Sequence, residues 1–465
     1  MKLKYIKISG FFAATVIFVY ILVGLIPYFG RVYVSQETRA AFDMGNFFGE
    51  DESPERVMLL ETPHESFFHR VNLISGAEER VLFSSFAIHE GASSDIIVGA
   101  LLAAADRGVE VQIVYNAIGG FMRGGYRNIL APHENIDIYS FSRWQLFNPQ
   151  YLNSALHDKF MIVDGRTMIL GGRNISDRYF DPEGFSGGLT YDREVLVYNT
   201  APEFKGSIAG TADYFHTILQ SDRAHLHNIS AASNWEELRG THIAIYHVYL
   251  ESLDMGGFDY YANTTRVNRI TLITNPLDTT KNDSVVAYNL MRIAQNSDVI
   301  VAQSPYVVFT NRNMRVFADI VAGRDFTLST NSLAAAVNIP AFSAYYVSRR
   351  RLVDTGITIY EFQSTNSSIH GKTYLFDGRL TAIGSFNMNE RSIRCDTESM
   401  LIIDSEEFHD IVLEAINRQI ARSLRVAEDL SYVPCDYVVP GHVSWGKRLL
   451  YNTAGRALRV FRFMF

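Results

Sequence analysis

The sequence predicts an α/β protein built from two similar halves and preceded by one membrane-spanning helix. Three observations carry this prediction. Strand-like and helix-like segments alternate in the same order in two parts of the chain. A dense motif centred on a histidine occurs once in each part, and a long apolar run stands near the amino terminus. At 465 residues the chain is too long for one compact core and fits two domains of ordinary size.

Residues 1–30 form the predicted membrane anchor. They contain three lysines and no acidic residue, followed by an apolar run from Ile8 to Ile26. Such a run, if helical, spans roughly 28 Å, about the thickness of a bilayer's hydrocarbon core. A cleaved signal peptide is the alternative, disfavoured by the length of the run and by the bulky residues 27–29 after it. Lysines before the span predict a cytoplasmic amino end and an extracytoplasmic body.

The net charge of −8 is unevenly distributed. Residues 1–30 carry +3 and residues 446–465 carry +5, which leaves −16 for residues 31–445. An acidic body is a poor partner for nucleic acid, which binds proteins largely through phosphate neutralisation. Basic ends on such a body suit an anionic membrane surface instead. We therefore expect a phospholipid substrate and a membrane partner, no nucleic acid and no obligatory protein partner.

Residues 446–465 form a basic amphipathic tail. On a helical wheel one face is apolar, and it consists of Leu450, Ala454, Ala457, Leu458, Phe461 and Phe465. The arginines occupy the other face. This pattern is typical of an interfacial helix that dips into lipid head groups, and equally of an amphipathic helix packed on the body.

The internal repeat consists of two long units with a predicted boundary near Tyr260. The first half, residues 56–259, is predicted to contain strands at Arg80–Ile88, Val109–Tyr115 and Ile136–Phe141 and helices at Ser94–Arg107 and around Trp235–Leu253. The second half, residues 260–425, is predicted to contain strands at Asp298–Val308, Asp325–Ser329 and Ile357–Phe362 and a helix at Asn311–Val321. This alternation favours a helix-covered sheet in each half.

The duplicated motif has the same spacing in both copies. The first copy reads HDKFMIVD from His157 to Asp164 and continues as GGRN from Gly171 to Asn174. The second reads HGKTYLFD from His370 to Asp377 and continues as GSFN from Gly384 to Asn387. In each copy the lysine, aspartate and asparagine follow the histidine by 2, 7 and 17 positions. One such histidine could be an ordinary core residue, but two identically spaced sets indicate a functional site.

The spacing explains how the motif can bind a phosphate group. On a strand, residues two apart point to one face, so the histidine and lysine of each copy project together. Two such faces meeting supply two imidazoles, two ammonium groups and two carboxamides around one cavity. One imidazole can attack phosphorus while the other protonates the leaving oxygen, and the lysines stabilise the transition-state charge. Two lysines already supply positive charge, so we expect no cofactor and no metal.

These motifs resemble those of the phospholipase D superfamily, and the resemblance covers about Leu59 to Arg422. Segments at Ser304–Val308, Thr330–Ser332 and Ile357–Phe362 are most similar to bacterial cardiolipin synthases and related membrane phosphatidyltransferases. The resemblance implies two phospholipase D-like α/β/α sandwich halves that form a pseudo-dimer with one site at their interface. It also implies a phosphohistidine intermediate.

The resemblance assigns a role to each motif residue. It implies that His157 is the nucleophile and that His370 is the general acid and later the base. It implies that phosphate is bound by Lys159, Lys372, Asn174 and Asn387, with Ser385 nearby.

The resemblance also implies a carboxylate behind each imidazole. Glu398 would hydrogen-bond one imidazole and fix its tautomer. In the first half, aligning YDREVLV with CDTESMLI places Glu194 opposite Glu398 and Asp192 opposite Asp396, and we choose Glu194. Asp164 and Asp377 are expected to brace the fold rather than contact substrate.

Three functions remain open: a cardiolipin synthase-type phosphatidyltransferase, a phospholipase D hydrolase that uses water as acceptor, and an anchored nuclease. The charge of the body disfavours the nuclease. Cys395 and Cys435 are the only cysteines and form no C-x-x-C pair, so a structural zinc site is not expected. Their pairing in a disulfide is left open.

Overall fold

The computed structural model describes residues 14–24, 34–143, 154–253, 257–277, 283–459 and 462. The first-half strands are β1 Glu55–Leu60, β2 Arg80–Ser85, β3 Glu110–Asn116, β4 Ile136–Phe141, β5 Phe160–Val163, β6 Thr167–Gly171, β7 Thr190–Tyr191, β8 Glu194–Asn199, β9 Ala224–Leu226 and β10 Thr265–Arg266. The second-half strands are β11 Arg269–Thr274, β12 Val299–Gln303, β13 Asp325–Asn331, β14 Thr358–Phe362, β15 Ser368–Ile369, β16 Thr373–Phe376, β17 Leu380–Gly384, β18 Ser399–Asp404 and β19 Ser423–Arg425.

Helices flank these strands. They are α1 (residues 14–24), α2 Gln36–Ala41, α3 Pro63–Ser75, α4 Ala92–Asp106, α5 Tyr126–Leu130, α6 Asp177–Phe180, α7 Ser207–Gln220, α8 Trp235–Glu251, α9 Val285–Gln295, α10 Asn311–Val321, α11 Ile339–Val353, α12 Glu390–Arg394, α13 Glu406–Ile420 and α14 Trp445–Ala457.

The two halves share one sheet topology, as the repeat predicts. The first large sheet has the order β10-β1-β8-β6-β5-β2-β3-β4-β9, and the second has the order β11-β18-β17-β16-β12-β13-β14-β19. Apart from the added edge strand β10, the strands correspond position by position. The chain passes from the first sheet to the second between Arg266 and Arg269, a few residues beyond Tyr260. The prediction of an α/β fold with two similar halves is confirmed.

Two predicted strands end earlier than the sequence pattern suggests. β2 ends at Ser85 rather than Ile88, and β12 ends at Gln303 rather than Val308. In each case a serine hydroxyl stabilises a turn at the end of the strand. The Ser85 hydroxyl donates to the backbone carbonyl of Ala87, and the Ser304 hydroxyl donates to that of Tyr306. The apolar run continues beyond the strand because the turn itself is buried.

A common apolar core lies between the two sheets. It joins first-half residues such as Leu82 and Leu170 to second-half residues such as Leu375 and Leu401, each at most 1% exposed. α7 and α13 contribute to the same core, while a separate core under α3, α4 and α8 covers the first sheet and another under α9, α10 and α11 covers the second. Burial on both faces explains why most strands are continuously apolar rather than alternating.

The predicted anchor is described only in part. Residues 14–24 are helical, and the rest of the run from Ile8 to Ile26 lies outside the described residues. Among the residues described, no helix has the length and apolar character needed to cross a membrane. The described chain from Val34 onward is fixed to the second half, since Ser35 donates to the Asp283 carboxylate and Phe42 packs edge-on against Tyr288 at 6.0 Å.

The carboxy-terminal helix α14 packs on α11. Tyr451 is 3% exposed with its ring 5.9 Å from that of Phe342, and Gly455 lies so close to the Ser343 carbonyl that a Cβ atom would collide with it. The buried stripe is therefore centred on Tyr451 and Gly455, whereas Leu450, on the apolar face of the helical wheel, is 49% exposed.

Candidate active site

Short backbone pairings between the halves position the site. β15 of the second half pairs in parallel with β7 of the first, with Ile369 opposite Tyr191. In the equivalent place a parallel bridge joins Leu156 to Thr397. The residue after each paired position is a histidine on one side and a carboxylate on the other. The two motifs are therefore brought to the interface by the same local geometry.

Each histidine of the motif is hydrogen-bonded to a carboxylate from the opposite half. His157 Nδ1 lies 3.1 Å from a Glu398 oxygen, and His370 Nδ1 lies 2.6 Å from Asp192 Oδ2. An ionised carboxylate only accepts, so the tautomer that satisfies each of these contacts carries its proton on Nδ1. Nε2 of a neutral ring then keeps its lone pair for chemistry.

The two motif lysines are buried beside the histidines. Lys159 and Lys372 are 2% and 1% exposed, and each ammonium group donates to the backbone carbonyl of the histidine in its own motif. Burial and the neighbouring Lys372 lower the pKa of Lys159 to about 7, and burial lowers the pKa of Lys372 to about 8. A bound anion would favour the charged form of both lysines, so the pair is suited to phosphate.

Burial also keeps both imidazoles neutral. Burial and Lys159 hold the pKa of His157 well below its ordinary value. Burial and Lys372 lower the pKa of His370 to about 4, although Asp192 opposes them. Burial alone would raise the pKa of Asp192, but Lys372 and His370 outweigh it and lower the value to about 2. Asp192 is therefore an anion at every physiological pH, and a neutral His157 can act as a nucleophile.

The motif asparagines have unused hydrogen-bonding capacity. Among the described residues, the Oδ1 atoms of Asn174 and Asn387 are buried without a hydrogen-bond partner. Asn174 donates to the Tyr179 hydroxyl at 3.4 Å, and the Tyr179 ring meets the His370 ring at 5.6 Å. A cavity of about 460 Å³ opens onto Asn174, Tyr179 and His370. The unpaired Oδ1 atom of Asn174 at its wall is available to a polar ligand.

The structure corrects the assignment of Glu194 as the partner of an imidazole. Gly171 and Gly384 hold the same place in the two motifs, and they pair with Glu194 and Met400 respectively. Counting back two residues makes Asp192, not Glu194, the counterpart of Glu398. The alignment of YDREVLV with CDTESMLI is therefore wrong by two positions. The segment before β8 has no apolar pattern that would fix the alignment.

Glu194 instead forms a buried ion-pair cluster. It is fully buried, accepts from Arg70 at 2.7 Å and from Arg173 at 3.3 Å, and also accepts from the Ser66 hydroxyl. Arg173 further donates to the Leu60 carbonyl at 2.9 Å. This cluster joins α3 to the first sheet and does not contact either histidine, so the geometry gives Glu194 a structural role.

Ser385 lies directly behind Glu398. Its hydroxyl donates to the Glu398 carboxylate and accepts from the Ser399 backbone N–H at 3.0 Å. The equivalent position of the first motif is Gly172, where a Cβ atom would lie 2.5 Å from Asp192 Oδ1. The two motifs therefore differ at this position. The Ser385 hydroxyl donates to Glu398, whereas the Asp192 carboxylate occupies the space that a side chain at position 172 would need.

Asp164 and Asp377 lie at the tight turns after β5 and β16, away from the histidines. Asp164 accepts from three successive backbone N–H groups, those of Glu78, Glu79 and Arg80, at 2.8 to 3.0 Å. Asp377 accepts from two, at 2.8 and 2.9 Å. These contacts fix the start of β2 and of β12 next to each motif strand.

Several residues at the cavity gave no clear signal in the sequence. Tyr179 and Tyr306 line it but lie outside both motifs. His89 and Glu90, which follow β2, line the same cavity. Nearby, the glycine-rich segment 119–125 has left-handed backbone at Gly119, Gly124 and Gly125. Only the tertiary arrangement brings these loops to the motif.

The two halves are equivalent, and the histidine of each motif is hydrogen-bonded to a carboxylate of the opposite half beside a buried lysine. This arrangement defines an enzyme of the phospholipase D superfamily. The family model for the cardiolipin synthase, PLD-like domain matches residues 71–209 and 320–420, more than half of the chain. The chain belongs to this family, and the predicted resemblance is confirmed.

Known relatives agree with this assignment. The chain is 25% identical over 397 residues to cardiolipin synthase C of Escherichia coli, covering 76% of this chain and 82% of that protein. It is 24% identical over 361 residues to a probable cardiolipin synthase of Bacillus subtilis, covering 75% and 63%. The fold is similar to that of phosphatidylserine synthase from Haemophilus influenzae, with a TM-score of 0.64, 14% identity, and 88% and 95% of the two chains covered.

Paired substitutions should separate the roles of the two first-half carboxylates. Asp192→Asn should lower kcat for a soluble phosphodiester by about 10²–10⁴ with little loss of stability, because His370 loses the anion that supports its protonated form. Glu194→Gln should lower the free energy of unfolding by about 3–5 kcal/mol, because Arg70 and Arg173 lose their buried counter-charge. Turnover and denaturant unfolding measure both. A slow but stable Glu194→Gln beside a fully active Asp192→Asn would reverse the assignment.

Binding of an oxyanion should weaken as pH rises. The lysine pKa values of about 7 and about 8 mean that raising the pH from 7 to 9 removes charge from both ammonium groups. Tungstate keeps its own charge over this range, so its Kd should rise by about tenfold or more. Isothermal titration calorimetry gives the Kd, with Lys205→Gln as the surface control and Lys159→Gln as the variant with a flatter profile. A Kd independent of pH would contradict the placement of the lysines.

Proposed function

We propose that the protein is a membrane-anchored phosphatidyltransferase of the cardiolipin synthase type that works through a phosphohistidine intermediate. The observation that carries the proposal is the pair of histidines, each supported by a buried carboxylate from the opposite half. The family membership supports the lipid substrate, since the relatives in Escherichia coli and Bacillus subtilis are named cardiolipin synthases.

In the first step, His157 Nε2 attacks the phosphorus of a phospholipid. A phosphorus–nitrogen bond forms, and the bond to the head-group oxygen breaks. His370 gives that oxygen a proton, so the head group leaves as an alcohol. The negative phosphate supports the protonated form of His370, which burial otherwise disfavours, and Glu398 stabilises the charge on His157.

In the second step, the acceptor alcohol attacks the phosphatidyl group on His157. The neutral His370 takes the proton of the alcohol, the phosphorus–nitrogen bond breaks, and a new phosphodiester leaves the site. Lys159, Lys372, Asn174 and Asn387 hold the non-bridging oxygens in both steps. With two phosphatidylglycerol molecules the products are cardiolipin and glycerol.

The surface beside the cavity supports a lipid substrate. Ala336, Val337 and Asn338 line the cavity, and Val337 is 58% exposed. Lys447 of α14 donates to the Ala336 carbonyl at 3.3 Å and so ties the basic tail to this loop. Trp445, on the same helix, is 77% exposed. Apolar and basic groups thus occur together near the cavity, as at surfaces that bind anionic membranes.

Lipid turnover tests the proposal. The wild-type protein with phosphatidylglycerol vesicles should form cardiolipin and free glycerol, identified by mass spectrometry, and His157→Ala should form neither. Phosphatidic acid without cardiolipin would make the protein a phospholipase D hydrolase. Cleavage of DNA with no lipid product would make it a nuclease.

The same experiment separates the two histidines. With a lipid that bears an activated leaving group, His370→Ala should accumulate a phosphatidyl adduct, because that leaving group needs no proton. His157→Ala should form no adduct in intact-protein mass spectrometry. An adduct on His157→Ala and none on His370→Ala would exchange the two roles.

The anchor is the remaining part of the proposal. Residues 1–30 would span the membrane once, with the amino end in the cytoplasm, because the lysines precede the apolar run. A reporter enzyme that works only outside the cytoplasm should be active when fused after Phe465. Replacing the three lysines with glutamate serves as the orientation control. A cytoplasmic reporter on the native sequence would contradict the predicted topology.

A further inference from the structure

A second cavity lies inside the second half, between α9, α10 and the sheet. Its volume is about 170 Å³, and its lining is apolar apart from Ser284, Asn313 and two tyrosine hydroxyls. No residue of the proposed mechanism lines it. The apolar lining suits an apolar ligand, which would make contacts with all of the cavity walls.

This cavity adjoins the candidate active site along one face of the sheet. Lys372, Tyr374 and Phe376 follow one another at every second position, so they project to the same face. Tyr374 and Phe376 line the cavity. Because two residues of a strand span about 6.7 Å, the wall of the cavity begins about that far from the lysine of the motif.

The motif asparagine lies between two residues of the same wall. Phe386 and Met388, on either side of Asn387, line the cavity, and the Tyr374 hydroxyl donates to the Phe386 carbonyl at 2.9 Å. One short segment therefore contributes to the catalytic motif and to the apolar cavity. This segment is the wall between the apolar cavity and the motif residues Lys372 and Asn387.

The other end of the cavity reaches the surface near the amino-terminal segment. Val316 on α10 lines this end and is 37% exposed, while Val34 and Tyr288 are half-buried beside it. Val34 follows the apolar run that ends at Ile26 by eight residues. The opening thus lies beside Val34, a few residues after the most apolar segment of the sequence. An apolar ligand could enter the cavity there.

We propose that this cavity binds the acyl chain of a phospholipid whose phosphate occupies the catalytic site, an inference that rests on the proposed function. An apolar cavity of about 150 Å³ can hold benzene, so this one accommodates about six carbons of a chain. The cavity then recognises the lipid by its chain, independently of the head group that the reaction replaces.

Chain-length dependence tests the inference. The substrates are single-chain lysophosphatidylglycerols with acyl groups from two to about eight carbons, which stay monomeric in water at the shortest lengths. In the wild-type protein, kcat/KM for release of the head group should rise about fourfold per methylene up to about six carbons and then level off. Each protein is compared with its own rate on the shortest substrate.

Two variants narrow the cavity, and one matched variant does not. Val316→Trp at the opening and Ala287→Phe on α9 should reduce the rise to less than about tenfold over the whole series, against about 250-fold in the wild type. Ile411→Trp is the control, because Ile411 is also 37% exposed on a helix but does not line the cavity. Thermal unfolding confirms that each variant is folded.

The outcomes separate this inference from the proposed function. A steep rise in the wild type and the control, flattened in both cavity variants, supports the acyl site. A wild type that releases the head group at every length without a rise overturns the acyl site but leaves the transferase intact, as does a rise unchanged in the cavity variants. A wild type that cleaves none of these lipids overturns the proposed function and this inference with it.

Discussion

The site depends on two short backbone pairings between the halves. In one, the segment before His370 lies along the segment before Asp192; in the other, the segment before His157 lies along the segment before Glu398. A parallel pairing keeps neighbouring chains about 4.8 Å apart, so the next side chains on the two strands meet. Each motif histidine thus takes its carboxylate partner from the opposite half, and the apolar core shared by the two sheets holds the halves together.

Burial gives this arrangement its chemical character. Taking two ammonium groups and two carboxylates out of water is unfavourable unless each has a partner, so the cations and anions must be placed together. The same burial lowers the pKa of both lysines and both histidines. The resting site thus has neutral imidazoles, and its ammonium groups release their protons more readily than an exposed lysine does.

A polar network beside the histidines explains why the two motifs are not identical. Arg193 forms an ion pair with Glu61 at 2.7 Å and donates across the interface to Gln303 at 2.9 Å. Gly371, the residue between the histidine and lysine of the second motif, lies against this network, and a Cβ atom there would be 2.4 Å from Gln303 Oε1. Asp158 takes the same place in the first motif and instead accepts from Tyr214 at 3.0 Å. The interface is therefore only approximately symmetric.

Helix α14 shows what a local sequence pattern can predict about packing and what it cannot. A helical wheel places Leu450 on the apolar face, yet Tyr451 and Gly455 are the residues buried against α11. The helical wheel identifies an amphipathic helix, but it does not show which row of residues on the helix packs against α11. That choice was made by the shape of the α11 surface, where only a glycine fits against the Ser343 carbonyl.

The sequence by itself determined the duplicated α/β architecture, the strands that carry the motifs and helix Asn311–Val321 to the residue, because periodicity and motif spacing are local properties of the chain. It also predicts that the two histidines, lysines and asparagines belong to one site. Tertiary structure alone decided that Asp192 rather than Glu194 supports His370, since the register between strands of a sheet depends on partners distant in the chain. The same reason applies to the cavity beneath Tyr374, whose walls come together only when α9 and α10 pack on the second sheet.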